Sequence, residues 1–274
     1  VIRLVTFNVR HGLRDDGRVD AERLADAVAA LAPDVVALQE VDRGQDRSAG
    51  VDLLQAVQKA LGADETRFVP TLTGQVGLPA AEDGRDVPVG SRVLRAWSGR
   101  RRARGDEVGV PGYGIAVVSR HPVSTWRRLR LPAASPFVAG RQLGPDEPRA
   151  ALAAVVETPE GPLTVVGTHL SPWPRWNRVQ LWELRRRLRA APRPLALLGD
   201  LNVRGPLAAR TTGWRELVHV PTYPRARPFL QIDHVLVDGE VDAAAPARAL
   251  DLGLSDHRAV VVDVELRPRG RARP

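Results

Sequence analysis

The chain has 274 residues, 43% of them apolar, and its 40 Lys and Arg exceed its 32 Asp and Glu to give a net charge of +8 at pH 7. That is enough chain for a two-sheet α/β protein folded as one domain with a large core, and the charge favours anionic partners. The absence of cysteine excludes disulfides and thiolate metal sites, and no apolar run approaches the roughly 18–20 residues that cross a bilayer.

Residues 2–8 read as a strand, with no basic and apolar leader before them. A cytoplasmic protein is the expectation, and the lack of any methionine leaves open a leader removed ahead of Val1. Asp20 is a candidate N-cap for a helix that turns Leu24, Val28 and Leu31 inward and stops before Pro33. The apolar run 35–39 predicts a strand buried on both faces, and a second helix runs from Val51 to Leu61, ended by Gly62. From Gly74 to Gly112 periodicity is weak, glycine and proline are frequent, and Arg92, Arg95, Arg100, Arg101, Arg102 and Arg104 cluster; a loop of that length is usually functional or mobile. Strands are expected at 113–119, 123–129, 149–157 and 163–168, a helix near 175–189, then strands at 195–199, 229–237 and 259–266. In that helix Leu181, Leu184 and Leu188 share one face, and Arg185, Arg186, Arg187 and Arg189 are most simply its solvated side. No linker divides the chain and no repeat recurs, so one domain is expected over 1–266 with a disordered tail at 267–274.

Polar groups capable of chemistry sit at the ends of four apolar runs. Glu40 follows 35–39, His169 follows Leu163 to Thr168, Asp200 follows Leu195 to Gly199, and Asp256-His257 precedes the run Ala259 to Val262. Their convergence at strand ends predicts one catalytic cleft and a hydrolase. A carboxylate at Glu40 is costly to bury unpaired; a divalent cation would compensate it, and oxygen ligands without thiolates point to Mg2+ or Mn2+. Asn8 cannot act as a base, but its amide can bind a metal through oxygen or hold a neighbouring carboxylate. Asp200 and Asn202 alternate onto one side of an extended segment, with Gly199 allowing close backbone approach. An Asp-x-Asn turn is also common for local reasons, and a lone histidine such as His169 is usually structural. His257 is the strongest acid/base candidate, since small environmental shifts move its pKa across neutrality. His234, on the opposite face of its strand, reads as structural, and Trp173 and Trp176 as packing groups.

The series TFNVRHG (6–12), PDVVALQEVD (33–42), YGIAVVSRHPV (113–123), GTHLS (167–171), LLGDLN (197–202), QIDHVLV (231–237) and LSDHRAVVV (254–262) resembles the endonuclease/exonuclease/phosphatase family. That family includes pancreatic deoxyribonuclease, abasic-site endonucleases, inositol-polyphosphate 5-phosphatases and neutral sphingomyelinases. The resemblance implies a four-layer α/β/β/α sandwich, two mixed β-sheets packed face to face with helices outside and a cleft at one end. It implies that Glu40 and Asp256 bind the metal beside Asn8, and that Asp200 orients and deprotonates the attacking water. Asn202 and His169 would bind the phosphate, Asp233 would fix His257, and Arg149 would face the phosphate, with a surface salt bridge as its local alternative. Arg10 stands where some relatives carry an acidic ligand, which weighs against a second metal. The implied activity is hydrolysis of phosphate esters by a metal-dependent phosphodiesterase or nuclease, acting as a monomer. The alternatives are a phosphomonoesterase on a small or lipid-linked phosphate, and a non-catalytic anion-binding module on the same fold. The arginines at 92–104 are either a surface loop or a clamp on flanking phosphates of a nucleic acid.

Overall fold

The structure, a computed structural model, describes residues 1–76, 110–132, 137–138, 141–142 and 146–267. The arginine cluster at 92–104 and the tail beyond Arg267 lie outside the described residues.

Two sheets stack face to face. In the first, β1 (Ile2–Asn8) lies between a parallel β2 (Val35–Arg43) and an antiparallel β15 (Ala259–Leu266). β4 (Gly112–Ser119) and then β3 (Glu65–Thr73) extend the sheet beyond β2, while β13 (Val241–Ala243) and β14 (Arg248–Leu250) pair with β15. The second sheet runs β11 (Arg215–Glu216), β12 (Asp233–Asp238), β10 (Leu195–Asp200), β9 (Gly161–His169), β8 (Ala150–Thr158), β5 (Val123–Arg130), and only β9 and β10 are parallel. A short separate pair joins β6 (Phe137–Val138) to β7 (Arg141–Gln142).

The layering follows from side-chain alternation along each strand. Leu4, Val35, Ala37 and Val117 meet Val165, Ala196, Leu198 and Val235 between the sheets. Their neighbours Val5, Phe7, Val36 and Leu38 face outward onto Leu24 and Val28 of α1 (Ala21–Ala30) and onto Leu53 and Val57 of α2 (Leu53–Leu61). On the far side Val166, Leu195, Leu197 and Leu236 pack on Leu181 and Leu184 of α3 (Trp176–Arg187). Strands covered on both faces explain the unbroken apolar runs, and each fully buried aliphatic side chain contributes roughly 1.5–3 kcal/mol. Gly167 sets the closeness of the sheets: a Cβ there would lie 2.8 Å from Val117 Cγ2 and 3.1 Å from Ala37 Cβ. The expected α/β/β/α sandwich is the observed fold.

The differences from the expected elements are local. The second helix starts at Leu53 because Asp52 caps it, accepting from Gln55 N. β3 has no counterpart in the sequence pattern; it carries Pro70 and sits at a sheet edge, where a missing N–H is tolerated. The strand expected from residue 229 begins at Asp233, because Tyr223 and Leu230 pair backbone to backbone in a turn of their own. A short α4 (Leu207–Thr212) also went unmarked by periodicity. No helix among the described residues is long and apolar enough to cross a membrane.

Candidate active site

Topology brings the polar strand ends together. β1 and β2 are parallel, as are β9 and β10, so Asn8, His169 and Asp200 end their strands on one side; Glu40 does not end the strand expected at 35–39 but lies at an irregularity inside β2, which continues to Arg43. In the second sheet Asp200 lies beside His169 on one neighbour and beside Asp233, the first residue of antiparallel β12, on the other. His257 comes from the turn leading into β15. Gly199 makes the β9–β10 approach feasible, since a Cβ there would sit 2.0 Å from Thr168 O.

One amide ties the two sheets at this end. Asn8 Nδ2 donates to Glu40 Oε1 at 2.9 Å and to Asp200 Oδ2 at 3.1 Å, while its Oδ1 accepts from Arg10 N at 3.1 Å. Asp200 Oδ1 accepts from Asn202 N at 2.9 Å. Asp200 Oδ2 also lies 3.4 Å from His169 Nε2 and 3.6 Å from His257 Nε2. His257 Nδ1 donates to Asp233 Oδ2 at 2.9 Å, and that oxygen also accepts from Thr222 Oγ1 at 2.6 Å. Asn202 Nδ2 is 3.4 Å from His169 Nε2 and donates to Leu170 O at 3.0 Å.

The backbone around the site is held in left-handed conformations. Arg10, His11, Glu40, Asn202 and Ser255 have φ of 42°, 47°, 57°, 50° and 64°. Such positions cost roughly 1–3 kcal/mol each and persist only where the surroundings fix them. At Glu40 the cause is visible. The β2–β4 register shifts between Leu38 and Val41, Gln39 turns into the core to hydrogen-bond Thr6, and Glu40 is presented to the cleft.

Burial and neighbouring charges shift Asp200 and the two histidines in different directions. Asp200 and Asp233 are 2% and 0% exposed. Burial pushes the Asp200 carboxyl up, the His257 cation pulls it down, and the Asp233 charge pushes it up again. Burial alone would lower His257, but Asp233 and Asp200 outweigh it and keep the imidazole protonated. His169 is held neutral, well below the usual histidine range, by burial and by the Arg149 and His257 cations.

The sequence-nominated residues share one cleft of about 740 Å³, lined by Glu40, Arg149, His169, Asp200, Asn202, Asp256 and His257. Asn8 and Asp233 lie behind this lining and act through their hydrogen bonds. Arg149 is buried and paired, its Nη2 3.2 Å from Asp146 Oδ1 and its Nη1 2.5 Å from Glu147 Oε1. Its pairing is thus buried, not the surface salt bridge that the sequence offered as the local alternative, and the side chain lines the cleft. His234 is buried against Glu216 and Val203 O, away from these groups. Trp173 and Trp176 are half-buried and absent from the cleft lining.

Two donor sets could hold a cation. Asp200, Asp233 and His257 offer ligand atoms within 4.8 Å of one another, but Asp233 Oδ2 is already engaged by His257 and Thr222. Glu40 and Asp256 are half-exposed on the same cleft, and Glu40 receives only the Asn8 donor among the described residues. Under-satisfied oxygen donors of this kind suit a hard divalent ion. The neighbouring cation is Arg10, 3.5 Å from Asp256.

Several contributors carried no sequence signal. Ser255 Oγ donates to Asn8 O at 2.7 Å and accepts from His257 N at 3.2 Å, coupling two motifs. Tyr223 lies against the His257 ring with centroids 4.9 Å apart. Asn177 Nδ2 donates to Asn202 O at 2.7 Å and fastens the start of α3 to the Asp200 loop.

The sequence profile of the endonuclease/exonuclease/phosphatase family matches residues 5–257, and the chain belongs to that family. No curated protein sequence matches it. An endonuclease/exonuclease/phosphatase from Beutenbergia cavernae is similar in structure, with a TM-score of 0.64 and 25% identity over 97% of this chain and 71% of that one. One from Bacteroides vulgatus gives 0.65 at 19% identity, over 97% and 99%. A beta toxin variant from Staphylococcus aureus with bound magnesium ions gives 0.59 at 16% identity, over 96% and 99%. The last two likenesses show the fold.

Proposed function

We propose that this cleft hydrolyses phosphate esters, most aptly phosphodiesters, with the help of a divalent cation. The observation that carries the reading is the setting of Asp200. It is buried, gripped by Asn8 and the Asn202 amide, and faced by His169 and His257. That setting suits a carboxylate that orients a water and takes its proton, with Asn8 fixing the direction of the accepting oxygen.

His257, locked in position by Asp233, presents its Nε2–H to a phosphoryl oxygen and stabilises charge as it builds. Asn202 and neutral His169 offer further polar contacts on the same side, and Arg149 supports the phosphate from behind its own carboxylate partners. Glu40 and Asp256 would hold Mg2+ or Mn2+, with Asn8 securing Glu40; family membership and the magnesium in the beta toxin support this choice. When bound, that ion supplies charge neutralisation at a phosphoryl oxygen. The protein's own work is placement and preorganised polarity.

The test compares bis(p-nitrophenyl) phosphate, p-nitrophenyl phosphate and plasmid DNA, each with Mn2+, with Mg2+ and after chelation. Metal-dependent release from the diester in preference to the monoester is expected. Turnover of the monoester alone would favour a phosphomonoesterase, and turnover of none of them would favour the anion-binding alternative.

A further inference from the structure

The cleft is far larger than one phosphoryl group. At about 740 Å³ it lies in the range of sites that enclose whole small molecules. Its arginines fall into two sets. Arg149 is held by Asp146 and Glu147. Arg175, Arg178 and Arg204 also line the cleft, are exposed, and have no carboxylate within ion-pairing distance among the described residues.

These three are gathered by the fold. Arg175 is the N-cap of α3, with φ of 78°, and Arg178 stands in its first turn. The Asn177–Asn202 hydrogen bond brings that turn against the loop that carries Arg204. The first turn of α3 has no acidic residue and Arg175 makes no capping hydrogen bond, so two cations stand where a helix favours anions. Val203, Leu207, Leu230 and Ile232 line the same cleft without charge, and its carboxylates among the described residues are Glu40, Glu147, Asp200 and Asp256, none of them ion-paired with these three arginines.

We propose that Arg175, Arg178 and Arg204 form a subsite for a second phosphate, so that the substrate is a phosphodiester carrying another phosphate beside the scissile one. Guanidinium groups suit that ligand, since their fixed fork matches phosphate oxygens. The inference rests on the hydrolase reading and names its substrate class. Consecutive nucleotides of a strand and a small polyphosphorylated ester share this chemistry.

The test uses thymidylyl-thymidine with and without a 5′-phosphate, a ten-residue oligothymidylate, and bis(p-nitrophenyl) phosphate, on the wild type and on an Arg175→Gln, Arg178→Gln, Arg204→Gln triple variant. The wild type should prefer the 5′-phosphorylated dinucleotide over the plain one in kcat/KM. In the variant that preference, and the ratio of phosphorylated dinucleotide to bis(p-nitrophenyl) phosphate, should fall by about tenfold, the combined effect of three exposed ionic contacts. Oligothymidylate binding should show a salt slope smaller by roughly two, at about 0.7 per contact; a loss on the dinucleotide with no change for the oligomer assigns the subsite to small esters. No preference in the wild type, or one that survives in the variant, overturns the proposal. If no ester is hydrolysed, the hydrolase reading fails separately, and calorimetry with pyrophosphate decides the subsite: weaker binding by the variant supports it, and equal binding overturns it.

Discussion

The two sheets deliver carboxylates to one cleft by different devices, an irregularity within β2 and the turn before β15 on one side and strand ends on the other, and leave them in different surroundings. On the first-sheet wall, Glu40 and Asp256 are half-exposed on the cleft, Glu40 with one donor from Asn8 and Asp256 beside Arg10. On the second, Asp200 and Asp233 are buried, both Asp200 oxygens and Asp233 Oδ2 being engaged by Asn8, Asn202, Thr222 and the two histidines. Residue type does not separate these jobs; burial and partners do. One wall suits a metal, and the other suits directing protons and fixing the histidine.

The sharpest way to break that division is Asp200→Asn. Turnover of bis(p-nitrophenyl) phosphate should fall by about a thousandfold, within the usual span for losing a positioned base. Thermal melting should hold or rise, because the change removes a desolvated charge. A variant that keeps a tenth of its activity would contradict the assignment. Next in size, Asp233→Asn and His257→Ala should each cost about a hundredfold. The double variant should be little worse than the poorer single, as for groups acting together; multiplying losses in the kinetic cycle would separate the pair.

Asn177→Ala probes the support of the buried wall. It leaves Asn202 O without its donor, so a loss of about 1–3 kcal/mol in stability is expected by denaturant unfolding. Turnover should drop by about tenfold, and an unchanged KM for the small diester would place the effect on positioning. The smallest effect concerns His234, whose ring nitrogens face the Glu216 carboxylate at 2.5 Å and Val203 O at 2.7 Å. Burial opposes its charge, but the Glu216 hydrogen bond and charge raise its pKa above the usual value. A raised histidine contributes stability that is complete below the unfolded pKa of about 6.5 and is lost as pH rises through the folded value. Unfolding at pH 6 and pH 9 should therefore show a decline in the wild type that Glu216→Gln flattens by about 1 kcal/mol.

The positions of these groups were legible because a buried strand must be apolar until it ends. Glu40, His169 and Asp200 interrupt such runs, and the ordered motifs supplied the family and with it the sandwich. The supports were not legible. Ser255, Thr222, Asn177 and Tyr223 act by meeting residues remote in sequence, and nothing local marks a serine that will accept from one motif and donate to another. The three free arginines of the cleft were hidden for the same reason. Arg175 and Arg178 look like part of a charged helix, and only the Asn177–Asn202 contact places them beside Arg204. Edge strand β3 was hidden by Pro70, whose tolerance depends on having no outer neighbour, as is the case among the described residues.

The division between the walls is tested most directly by Mn2+ titration calorimetry on the wild type, Glu40→Gln and Asp200→Asn, run beside diester turnover. Glu40→Gln should weaken Mn2+ binding by at least about tenfold and recover part of its turnover at high Mn2+, because the lost ligand is a matter of occupancy. Asp200→Asn should bind Mn2+ within a few-fold of the wild type and recover no turnover at any concentration. The reverse pattern, with binding lost in Asp200→Asn and retained in Glu40→Gln, would place the cation among Asp200, Asp233 and His257 and contradict the account.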